Sequence, residues 1–135
     1  MAFKFEKLEI YQLSLAYVDL IYGLAAQLPE SERYNLKSQI VRAATSVVLN
    51  IAEGSTGQSN AEQKRFLGMA VRSVIETVAC QHIIRRRNFI SNPAMLDKAE
   101  EDARILSAKL FAFRNALTPP RQVKETEASY NIPDL

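Results

Sequence analysis

A chain of 135 residues, 47% of them hydrophobic, can bury about 70% of the surface its unfolded form exposes, which suits one domain and needs no staples. Its single cysteine, Cys80, excludes an intrachain disulfide framework, and a formal net charge of +2 singles out no partner by itself. No apolar run reaches the ~18 residues of a membrane span, and Lys4, Glu6, Lys7 and Glu9 interrupt the opening where a secretory signal would be apolar, so a cytoplasmic protein with no membrane partner is expected.

The first helix is predicted over Leu8 to Leu28, with Leu8, Tyr11, Leu15, Val18, Tyr22 and Ala25 stepping by three and four along a seam. Leu13, Tyr17, Leu20 and Leu24 make a second stripe, and Pro29 disfavours helical geometry at Leu28. A polar connector from Glu30 to Tyr34 then leads, with Ser31 or Asn35 as cap, into the second helix. There Leu36, Ile40, Ala44, Val47 and Ile51 share one face, and Val41, Thr45, Val48 and Ala52 run beside them. The remaining arc carries a ladder of hydrogen-bonding groups: Gln39, Arg42, Ser46, Asn50 and Glu53. Gly54 is expected to close the helix in a left-handed C′ conformation. With so little of this helix left for solvent, Asn50 and Glu53 are expected to bond across to neighbouring helices, and Glu76 to join them from the third helix.

Ser59 followed by Glu62 has the spacing of a capping box, and opens a third helix that continues to about Asn88. Phe66, Ala70, Ser73, Thr77, Cys80 and Ile84 form one stripe on it; Leu67, Val71, Val74 and Val78 form another. Asn92 as cap and Pro93 at the first helical position begin the fourth, with a seam of Ala99, Ala103, Leu106, Leu110, Phe113 and Leu117. Thr118, Pro119 and Pro120 end it, and the tail of 118–135 shows no periodicity, which reads as extended or disordered. No segment alternates with period two. The expected fold is therefore all-α: an antiparallel up-down-up-down four-helix bundle over residues 1–117.

Charge gathers on the third helix, since residues 59–90 hold six Lys/Arg against two Asp/Glu. Arg65 and Arg72 are seven apart and so nearly eclipsed; with Arg85, Arg86 and Arg87 they could track phosphates. Arginines in a last helical turn also suit the helix dipole whatever the function, and no aromatic stacking platform is interleaved with them. His82 and Cys80 are two residues apart and face different ways, and neither a zinc-ligand spacing nor a glycine-rich phosphate loop occurs, so no metal and no cofactor is expected. Glu53 and Glu76 lack the nucleophile, metal or histidine that an acid/base pair would serve. The paired apolar stripes exceed what a lone bundle buries, and imply a homo-oligomer.

Leu28-Pro29, Glu32-Arg33-Tyr34, Gln39, Arg42-Ala43-Ala44, Ser46 and the run Asn50-Ile51-Ala52-Glu53-Gly54-Ser55 together resemble the bacterial family of 23S ribosomal RNA intervening-sequence proteins. Arg65-Phe66-Leu67, Ala70, Ser73 and Glu76 continue the likeness, which covers about residues 3–117. It implies a cytoplasmic homopentameric ring of four-helix bundles without known catalytic activity. Similar accessory proteins of diversity-generating retroelements form a basic pentameric barrel that binds a reverse transcriptase and nucleic acid. Where members often carry a second arginine, a proline and a further basic residue, this chain has Val41, Val48 and the Gly57-Gln58 pair. Two functions are expected on this footing: RNA or DNA binding through the third-helix arginines, or a scaffold for a protein partner such as a reverse transcriptase.

Overall fold

The computed structural model describes residues 3–57 and 59–117; the tail of 118–135, read above as extended or disordered, lies outside them. Four helices make an all-α bundle: α1 (Glu9–Ala25), α2 (Leu36–Gly54), α3 (Asn60–Arg87) and α4 (Pro93–Ala116), with a 3-10 turn at Glu30–Glu32 between the first two. Each helix packs on its neighbour in the chain, and α1 also packs on α4, so the core is enclosed by a closed circuit of helices. Among the described residues there is no strand.

The ends follow from local chemistry. Ser59 Oγ accepts the Glu62 amide at 3.2 Å, which is half of a capping box, while the Glu62 carboxylate turns instead to Arg65. Asn92 Oδ1 accepts the Ala94 amide at 2.9 Å ahead of Pro93, and Asn88 ends α3 in the left-handed region at φ 55°. Gly54 differs from expectation: it is the last residue of α2, and the glycine with positive φ is Gly57. The reason for glycine at 54 is packing, because a Cβ there would lie 2.8 Å from Phe66 Cβ on α3.

Leu36, Ile40, Ala44, Val47 and Ile51 are all buried, as are Leu67, Val71, Val74, Cys80 and Ile84 on α3 and Ala99, Ala103, Leu106 and Leu110 on α4. On α1 the buried stripe is Ile10, Ser14, Tyr17, Ile21 and Leu24, whereas Leu15 and Tyr22 of the expected seam are exposed. Glu9, Gln12 and Asp19 mark the solvent side of α1 within about 80°, but the wide apolar arc opposite does not by itself fix the rotation of its inner face. A polar contact does: Tyr17 reaches across the core to α3, where its hydroxyl lies 2.7 Å from Thr77 Oγ1 and accepts Gln81 Nε2 at 2.8 Å. Because Thr77 Oγ1 already donates to the Val74 carbonyl, the tyrosine hydroxyl is the donor in the pair with Thr77. Among the described residues Gln81 Oε1 has no hydrogen-bond partner. Burial pushes the Tyr17 hydroxyl up to about 12, against the lowering effect of its Thr77 and Gln81 hydrogen bonds.

Candidate nucleic-acid interface

At about 100° per residue, Arg65, Arg72, Arg86 and Arg87 fall within a sector of roughly 100° on α3, and all four are exposed. Arg85 falls roughly opposite and meets α4: its Nη2 donates to Glu100 Oε1 at 2.6 Å and to Asp97 Oδ1 at 3.0 Å. These hydrogen bonds, to Glu100 first and Asp97 second, raise its pKa and make Arg85 a clasp between helices. Glu100 also faces His82, with Oε2 and Nε2 3.4 Å apart.

The exposed four are not equally free. Arg65 Nη2 donates to Glu62 Oε1 at 3.0 Å and its guanidinium stacks 4.7 Å from the Phe66 ring centroid. Arg87 lies 5.7 Å over the Phe89 ring. Neither Arg72 nor Arg86 is held by a carboxylate among the described residues. Ile75 and Ile83 stand on the same side of α3, 38% and 49% exposed, so this face mixes guanidinium groups with aliphatic surface.

The α2 ladder divides as well. Gln39 Nε2 donates to Glu76 Oε2 at 3.0 Å and Ser73 Oγ donates to Ser46 Oγ at 2.9 Å, so these two rungs cross to α3. Asn50 instead donates back along its own helix, to Ser46 O at 2.9 Å and to Ser46 Oγ at 3.0 Å, the oxygen that also accepts Ser73. Glu53 is exposed, and Arg42 Nη2 donates to Ser38 Oγ at 3.2 Å.

Arg42 belongs to a second basic feature that its place on the ladder conceals. Where the end of α1 approaches the start of α2, Tyr22, Arg33, Lys37, Ser38, Val41 and Arg42 line an open groove of about 450 Å³ with no carboxylate in its lining. Its cations come from the connector and from two turns of α2, and its aromatic ring from another helix. Spacing along one helix could not reveal it; the one hint in the chain is that Arg33 and Lys37 are four apart.

Catalytic chemistry finds little to work with. Cys80 is buried, and burial first, then Glu76, raises its thiol pKa, the opposite of an activated nucleophile. Among the described residues no group of three or more His, Cys, Asp or Glu could hold a metal ion, and no helix is long and apolar enough to cross a membrane.

The family model described as 23S rRNA-intervening sequence protein matches residues 6–112. No curated protein matches the chain. Among solved structures, the crystal structure of a protein with unknown function from the S23 ribosomal protein family of Bacteroides thetaiotaomicron is similar, with a TM-score of 0.72 and 24% sequence identity over 78% of this chain and 97% of that one. At that identity the likeness bears on the fold alone.

Proposed function

This chain belongs to the 23S rRNA-intervening sequence protein family, and from that premise we propose that it is a non-enzymatic, cytoplasmic, homo-oligomeric bundle protein that associates with nucleic acid, RNA first, through the outer face of α3. The observation that carries the reading is the sector of four exposed arginines, Arg65, Arg72, Arg86 and Arg87, on the segment that holds the excess positive charge. Arg72 and Arg86, unclaimed by carboxylates, carry most of the attraction, while Arg85 holds α4 in place. Residues 1–117 form the bundle, its helices running up-down-up-down as short connections between packed neighbours favour, and residues 118–135 are a separate tail. Assembly into a ring of five repeats each arginine sector around the ring, so that weak single contacts gain by avidity. Light scattering should then give several times the 15.2 kDa of one chain.

The test is binding of a labelled RNA oligonucleotide across a salt series. Each phosphate contact contributes about 0.7 to 0.9 to the slope of log affinity against log salt, so Arg72→Gln with Arg86→Gln should flatten it by about 1.5 and weaken all sequences alike. A parent protein that binds neither RNA nor DNA at about 50 mM salt, where phosphate contacts are strong, overturns the reading. The alternative is then a protein scaffold, for a partner such as a reverse transcriptase. Ile75 and Ile83 favour it, because aliphatic surface beside arginine is the composition of a protein interface.

A further inference from the structure

We propose that the groove between α1 and α2 seats a nucleotide unit of a single-stranded nucleic acid, its phosphate on Lys37, Arg42 and Arg33 and its base against Tyr22. The inference rests on the reading that the protein associates with nucleic acid, but it assigns a different surface from the α3 face. Three observations converge on it.

The lining carries three cations and no carboxylate. Arg33 is partly neutralised by Glu30 at 3.2 Å, whereas Lys37 and Arg42 have no ion pair among the described residues, so two full charges remain for an anion. They stand five residues apart on α2, about 7.5 Å along its axis, and the amino-terminal end of a 19-residue helix adds its own positive dipole beside Lys37. Arg42 is also pre-aimed. Its donation to Ser38 Oγ, which shares the lining, fixes one N–H of the guanidinium and leaves the others for an anion.

Tyr22 is the second observation. It is 54% exposed on the helix that forms the other wall, so a large ring remains in water although α1 has a buried stripe that could have taken it. A ring beside cations is the pairing that single-strand binders use, the cations following the backbone while the base stacks on the aromatic face. The α3 sector lacks this pairing, for its nearby rings, Phe66 and Phe89, already lie under Arg65 and Arg87.

Size is the third. About 450 Å³ lies within the range of small-molecule sites, and the groove is open to solvent. Val41 adds an apolar group to the lining.

The experiment measures binding of a fluorescently labelled ten-nucleotide uridine RNA to the full-length protein over a salt series. Lys37→Gln with Arg42→Gln should weaken binding at least tenfold and flatten the salt slope by about 0.7, the one phosphate of a single strand that these cations share. Tyr22→Leu should weaken it about 5-fold or more with the slope unchanged, since a base contact releases no counterions, and Tyr22→Phe should restore parental affinity. All three substituted residues are partly or wholly exposed, and circular dichroism melts close to the parent's confirm that loss of binding is not loss of fold. If the groove variants bind like the parent while Arg72→Gln with Arg86→Gln does not, the groove assignment is overturned and the α3 reading stands. The reverse result upholds the groove and removes α3. A salt effect without a Tyr22 effect overturns the nucleotide seat in favour of plain charge attraction, and no binding by the parent at about 50 mM salt overturns both.

Discussion

Two polar arrays run through this bundle, and they are built on opposite terms. Tyr17, Thr77 and Gln81 meet in the centre of the core, from residues 60 and 64 apart in the chain, with no solvent to replace a lost partner. Gln39, Arg42, Ser46, Asn50 and Glu53 climb α2 at regular steps, yet none of the five is buried. The regular array is conspicuous in the sequence and the irregular one is not. Burial sets what a polar contact is worth, because a buried donor or acceptor left unpaired costs about 1 to 3 kcal/mol whereas an exposed one turns to water. The core array therefore governs stability, and the ladder contributes less to it.

The sharpest way to break that contrast is Tyr17→Ala. It empties a fully buried aromatic site, strands the Gln81 amide and takes the donor from Thr77 Oγ1, so the loss should match or exceed the 3 to 5 kcal/mol typical of large-to-alanine changes at buried aromatics. Urea unfolding measures it. A loss below about 1 kcal/mol would mean that the core closes over the gap and that the array is not central.

That array also marks where the sequence stops being legible. The α2 stripe could be read because its five buried residues repeat on one face, and the same holds for the α3 and α4 stripes. On α1 the apolar arc is wider than the buried stripe: Glu9, Gln12 and Asp19 mark only its solvent side, and the polar contact within the arc is a hydroxyl with partners on a helix sixty residues away. Gln81, completely buried, looks in sequence like any surface glutamine on the turn before the arginines. Arg85 reads as one more cation of that cluster until Asp97 and Glu100 of α4 are seen against it. Gly54 is required by its tight neighbour Phe66 rather than by a left-handed turn. In each case the missing information is which distant residue faces which, and no local pattern holds it.

An intermediate effect comes from pH. The Tyr17 hydroxyl has its pKa raised from 10.0 to about 12, first by burial, so the folded protein keeps a proton that the unfolded chain releases near 10. This contribution is fully present below pH 10 and is lost as pH rises through about 12; two units correspond to about 3 kcal/mol at most. Urea midpoints taken at pH 9 and pH 11.5 should fall more steeply in the parent than in Tyr17→Phe, which lacks the titrating group. Equal falls would place the alkaline sensitivity elsewhere. At pH 7 the same variant should cost about 1 to 3 kcal/mol, since Gln81 Nε2 loses its acceptor in the core.

The smallest effects belong to the ladder, and their order along α2 tests whether burial, not spacing, sets the scale. Ser46→Ala removes the rung that crosses to Ser73 and one acceptor of Asn50, both at half-buried positions, so about 0.5 to 1.5 kcal/mol should be lost. Asn50→Leu breaks only bonds made back along its own helix, and Ser46 keeps Ser73, so stability should move by no more than about 0.5 kcal/mol. Glu53→Gln, at an exposed position, should leave the melt unchanged. Light scattering on the same three variants adds a readout that folding does not supply. An Asn50→Leu protein that melts like the parent but changes its assembled mass would mean that the outer arc of α2 meets another copy of the chain, and that the ladder's burial has to be reckoned in the assembly. If Asn50→Leu instead costs as much stability as Tyr17→Phe with the mass unchanged, the difference drawn between the two arrays is wrong.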